Sequence, residues 1–142
     1  MRTRYWELSL AIGMLAACGN KSEAPPAADS AGAMGGMAMQ GMQMMPGMLA
    51  HLDSMAAMPL EGMAAMMAGH QDLASRMMDA MGADMRGMNM PPDSAWTALS
   101  DSLRRDLAEM PGLSGGPLGL RMEAHIARMR RMMAMHRGMM KM

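Results

Sequence analysis

The chain has 142 residues with 13 basic and 13 acidic side chains, enough for one small domain and without the electrostatic signature of a nucleic-acid binder. Val and Phe are absent, and Ile, Thr, Trp and Tyr together supply only seven residues, which excludes a β-sheet protein. Methionine occupies 29 positions, where an ordinary domain would use Leu, Val and Ile, and this excess must be either packing or chemistry.

In chain order, Arg2 and Arg4 precede a ten-residue apolar run at 8–17, the pattern of a secretory signal and too short for a spanning helix. Leu15-Ala16-Ala17-Cys18 resembles the lipobox of bacterial lipoproteins, with Glu7 a departure from the usual acid-free leading segment. The resemblance implies a signal peptide at 1–17, removed by cleavage, a lipidated Cys18 and attachment to a membrane through that lipid. Gly19, rather than Asp, is similar to lipoproteins sorted to the outer membrane, so the expected location is the bacterial envelope, facing the periplasm. With the only cysteine lipidated, no thiol remains for catalysis, disulfides or thiolate metal sites.

Residues 18–47 are expected to form a flexible, disordered tether, because Pro25, Pro26 and Pro46 together with Gly32, Gly35, Gly36, Gly41 and Gly47 interrupt any regular element. Six methionines fall there, Met34, Met37, Met39, Met42, Met44 and Met45, and a tether has no core for them to fill.

Residues 48–142 are expected to form an all-α, small up-and-down helical bundle of three to four helices, arranged as two helical hairpins if an internal repeat is real. Helices are predicted over 48–58 and 59–68, then over 69–88 with the stripe His70, Ala74, Met77, Met81, Met85 and Met88. Asp93 is an N-cap for a helix with the stripe Trp96, Leu99, Leu103, Leu107 and Met110. A loop at 111–117 leads to a last helix with Met122, Ile126, Met129, Met133, His136 and Met140 on one face. The repeat sets His70 over His125 and Met58-Pro59 against Met110-Pro111, with loops that differ by three residues. Residues 48–112 carry nine acids against four arginines, and 117–142 carry six bases against Glu123, so the last helix is expected to lie on acidic neighbours. The alternative for that basic helix is a membrane surface or another protein. Acidic pairs such as Asp101 and Asp106 read as solvated faces.

Methionine clusters around histidine. At i±3 and i±4, His51 has Met48 and Met55, His70 has Met66 and Met67, and His125 has Met122 and Met129. His136 has Met132, Met133, Met139 and Met140, which makes it the richest. The helix built on Trp and Leu has no histidine. Thioether and imidazole together suit Cu(I), and by the same softness Ag(I), over Zn(II), Mg(II) or Ca(II). His125 and His136 lie three turns apart, roughly 16 Å at 1.5 Å per residue, and would need separate ions. The tether run from Met34 to Met45 looks like the Met-rich motifs of bacterial copper-resistance and copper-transport proteins. Met66-Met67-Ala68-Gly69-His70 is loosely similar to the Met/His segments of periplasmic copper-binding bundles, with Gly69 where a second histidine is usual.

No metalloprotease, di-iron, phosphate-loop or nucleophile-elbow motif is present, so no enzyme is expected. The expected function is an envelope lipoprotein binding Cu(I), with copper-handling envelope proteins as partners. The alternatives are a Met-rich interaction or structural module without metal, and a methionine oxidant sink.

Overall fold

The computed structural model describes residues 39–142; the signal at 1–17, Cys18, Met34 and Met37 lie outside the described residues. Four helices make up the described part: α1 (Gln40–Ala57), α2 (Leu60–Gly87), α3 (Ser94–Glu109) and α4 (Gly115–Met139), with a 3₁₀ turn at Met110–Gly112 after α3. Their apolar stripes face one common core, and the arrangement is an all-α bundle. Among the described residues no helix is long and apolar enough to cross a membrane.

Side-chain pairings across the core fix the directions of the helices. Gly41 meets Asp84 and His51 meets His70, so α1 and α2 run antiparallel. Asp106 meets His125 and Trp96 meets His136, so α3 and α4 do likewise. His70 meets His125 and Asp84 meets His136, which sets α2 parallel to α4. This is the up-and-down order expected from short connections.

Two helix starts differ from expectation. The first helix begins at Gln40 rather than at 48, so Gly41, Met42, Met44, Met45, Pro46 and Gly47 are helical and not tether. Met45 is buried, and Met42 and Met44 pack against the core. Core packing therefore accounts for these three methionines, contrary to the expectation for the segment. Pro46 costs α1 one backbone hydrogen bond and is exposed, while tertiary burial of Met45, Met48, Leu52 and Met55 holds the helix. The predicted helices at 59–68 and 69–88 are a single 28-residue helix that starts after Pro59. Gly69 leaves it unbroken. The last helix starts at Gly115, so the expected loop at 111–117 is shorter.

The stripes of α3 and α4 are buried as predicted except Met140, which is half-buried just past the end of α4, and Asp93 caps α3 by accepting a 2.7 Å hydrogen bond from the Trp96 N–H, a contact worth about 1 kcal/mol. The basic α4 lies against acids of its neighbours: Arg121 and Arg128 bind Asp106 of α3, and Arg130 binds Asp53 of α1.

The hairpin repeat is visible in burial, in the register that sets His70 over His125. The buried positions Gly41, Met45, Met48, Leu52 and Met55 of α1 match Trp96, Ser100, Leu103, Leu107 and Met110 at one constant spacing. The same spacing carries Met63, Met67, His70, Ala74, Met77, Met78 and Met81 of α2 onto Leu118, Met122, His125, Met129, Met132, Met133 and His136 of α4. It also matches the N-cap Pro59 to the N-cap Ser114, so the Met-Pro pairs suggested by sequence are not equivalent.

Gly41 marks the closest approach of α1 to α2. A Cβ there would stand 2.7 Å from Asp84 Oδ2 and 3.1 Å from the Met81 Cα, whereas a Cβ at Gly69 meets nothing within 4 Å. Gly41→Ala should cost about 1–3 kcal/mol through overpacking, and Gly69→Ala should gain up to about 1 kcal/mol from helix propensity. Urea unfolding of the two variants checks the opposite signs.

Candidate metal centre

Three histidines that lie far apart in sequence meet in the core. α1 contributes His51, α2 contributes His70 and α4 contributes His125. His51 Nε2 and His70 Nδ1 share a hydrogen bond of 3.0 Å, with the rings stacked at 5.2 Å between centroids. His70 and His125 meet edge to face at 5.0 Å. His70 and His125 are completely buried, and His51 is the half-buried end of the row.

Behind His125 lies Asp106 of α3. Its Oδ2 is 3.5 Å from His125 Nδ1, within ion-pair reach but without hydrogen-bond geometry. The carboxylate is buried and accepts from Arg121 at 3.2 Å and Arg128 at 2.5 Å. His51 and Asp106 occupy matching positions in the two hairpins, each packed against the histidine of the following helix.

His136 stands apart from this row. It is fully buried, its Nε2 is 3.4 Å from Asp84 Oδ2, and its ring is 6.2 Å from that of Trp96. Asp84 in turn accepts the N–H of Gln40 at 3.1 Å and of Gly41 at 2.9 Å, where the orphan donors and positive end of α1 favour a carboxylate.

Among the described residues, five buried ring nitrogens make no hydrogen bond, His70 Nε2 and both nitrogens of His125 and of His136, although His125 Nδ1 and His136 Nε2 each face a carboxylate oxygen, at 3.5 and 3.4 Å. Each such group carries a desolvation cost of about 1–3 kcal/mol that a ligand bond or a buried water would relieve. Burial lowers all four histidine pKa values. His70 falls to about 4, through burial first and then the neighbouring His125 and His51. Asp106 opposes the fall at His125, and Asp84 opposes it at His136. Neutral imidazole is the form that binds metal ions.

The structure places the sequence-predicted residues unevenly. His51, His70 and His125 come together, and His136 does not join them. Met48, Met55, Met67, Met122, Met129, Met132 and Met133 are buried on the faces that carry the histidines, and Met139 and Met140 are half-buried. Met66 stands 42% exposed although its neighbour His70 is buried. Among the described residues, no three His, Cys, Asp or Glu side chains converge to hold an ion. An ion at the row would need thioethers to complete its ligand set, and Met48, Met55, Met67, Met122 and Met129 flank these histidines at helical spacing.

Sequence reasoning missed two groups. Asp106 is buried, not solvated, while Asp101 is exposed as expected. Asp84 is also buried. Both stand on apolar stripes, Asp84 three residues after Met81 and Asp106 three after Leu103, and an acid at such a position is the signal that could have found them.

No family model, curated protein or solved structure matches this chain, so the site is interpreted from its own geometry.

The lowered histidine pKa values set a sign for pH dependence. The unfolded chain protonates these rings below about pH 6.5 while the fold resists, so stability is full above that pH and falls below it. The slope is up to about 1.4 kcal/mol per pH unit for each of the buried His70, His125 and His136, less for the half-buried His51, and for His70 the loss continues to about pH 4. Urea midpoints of the metal-free protein between about pH 7.5 and 5.5, where carboxylates scarcely titrate, should fall; a flat profile would contradict the buried neutral rings.

Proposed function

We propose that this chain is a lipid-anchored protein of the bacterial envelope that binds Cu(I), or the similarly soft Ag(I), through mixed His and Met sites, and that it serves copper handling without catalysis. The observation that carries the reading is a set of three buried imidazole nitrogens with neither a hydrogen bond nor an ion-pair contact among the described residues, His70 Nε2, His125 Nε2 and His136 Nδ1, inside a core built largely from thioether side chains. A purely structural core would gain nothing from them. Leucine or methionine at the same places would remove the desolvation cost and fill a similar space.

The chemistry supports a soft monovalent ion. Neutral thioethers and imidazoles add no charge to an apolar interior, so Cu(I) enters as a single positive charge spread over polarizable donors. Hard divalent ions demand several oxygen ligands, and the one carboxylate beside the row, Asp106, is already engaged by Arg121 and Arg128, while the thioethers favour a soft ion over a borderline one. In the tautomer where His70 donates from Nδ1 to His51, its Nε2 is a bare lone pair facing the core. The half-buried His51 gives an ion a route inward. Anchorage rests on the lipobox-like Leu15-Ala16-Ala17-Cys18, and copper-handling proteins of the envelope would be its exchange partners.

A second reading, a Met-packed bundle with a structural or interaction role, is favoured by the burial of fourteen methionines. One variant separates the two. His70→Leu should weaken Cu(I) binding at least tenfold, about 1.4 kcal/mol, in competition with a chelator, using the protein from residue 19 onward. The same change should leave the metal-free fold as stable or more stable by up to about 1 kcal/mol, because the buried nitrogen without a partner goes while the hydrogen bond to the half-buried His51 is lost. Unchanged copper binding in His70→Leu, or no copper retained by the parent, would overturn the copper reading.

A further inference from the structure

We infer that the groove between α2 and α3 is a second soft-cation site, separate from the histidine row, at which an ion takes one or two of the Met78, Met85 and Met90 thioethers that line it, with Trp96 as the wall that also touches His136. The inference rests on the soft-metal reading and adds a place of entry. The groove encloses about 330 Å³ and is partly open to solvent. Met78 and Met85 of α2 and Met90 of the following turn line it, with Trp96 as part of its α3 wall.

Two features single out this groove. First, Trp96 also lies 6.2 Å, ring to ring, from His136, a fully buried imidazole whose Nδ1 has no polar partner among the described residues and whose Nε2 has only the Asp84 carboxylate at 3.4 Å. The groove beside Met58, Met63 and Met122 also has three thioethers but no comparable aromatic wall leading to an unpartnered imidazole. Second, the rim balances Asp79 and Asp101 against Arg86 and Arg104, so net charge neither draws in hard cations nor repels a monovalent one. Selection then falls to the thioethers, which favour a soft ion. Asp84, 3.4 Å from His136, supplies the negative charge that offsets the cation on the inner side.

Trp96 is the only tryptophan after residue 19 and reports on this groove and on His136 beside it, so quenching that belongs to the groove must persist in His136→Leu. Ag(I), which does not change oxidation state here, is added to the protein from residue 19 onward while Trp96 emission and retained silver are followed together. Saturable quenching is expected, shifted at least tenfold to higher silver by the joint substitution Met78→Leu, Met85→Leu and Met90→Leu, and preserved in His51→Leu/His70→Leu. Met90→Leu alone, at a partly buried position on the edge of the core, gives a smaller shift with the fully buried side chains unchanged. Retained silver with unmoved emission, or quenching indifferent to the methionine substitutions, overturns the groove site and leaves the copper reading standing. Quenching lost in His51→Leu/His70→Leu shows one shared site and also overturns it. No retained silver removes both.

Discussion

Two buried carboxylates hold the bundle in register. Asp84 on α2 accepts the first N–H groups of α1, and Asp106 on α3 is gripped by Arg121 and Arg128 of α4. Each bond ties the two helices of one hairpin, and each carboxylate also faces a buried imidazole, His136 for Asp84 and His125 for Asp106. Desolvating such groups is costly, and buried ionic contacts of this kind serve specificity of arrangement better than net stability. Here that arrangement puts His51 beside His70 and His70 beside His125. A slip of one helical turn between α1 and α2 would part His51 from His70, and one between α2 and α4 would part His70 from His125.

The methionine excess follows from the same core. Flexible thioethers fill the irregular space around a row of imidazoles more readily than branched side chains do, and they are tolerant of small shifts. Packing thus explains most of the methionine, including Met42, Met44 and Met45, which fold into α1. What packing leaves unexplained is the buried nitrogen. The stability gained from the apolar core offsets the cost of His70, His125 and His136, and the proposed return on that cost is a ligand set made of neutral donors.

The helical class, the cap at Asp93 and the stripes of α3 and α4 were legible because they are local: spacing along one helix encodes which face is buried. The start of α1 was not, because Gly41, Pro46 and Gly47 read as breakers. Gly41 is instead required by the approach to Asp84, and Pro46 is tolerated by a helix that tertiary contacts hold. The histidine row was half legible. The repeat set His70 against His125, but contact between His51 and His70 depends on how α1 docks, which no spacing within one helix specifies. Asp106 was misread because its charge outweighed its place on the stripe.

The central claim is that imidazoles and thioethers of this core together bind a soft ion. X-ray absorption at the copper edge of the Cu(I)-loaded protein tests it directly, since nitrogen and sulfur neighbours scatter differently and at different distances. The account predicts a mixed shell of imidazole nitrogen, at about 2.0 Å by analogy with other first-row ions, and thioether sulfur farther out. A shell of nitrogen and oxygen without sulfur, or of sulfur without imidazole, would contradict it.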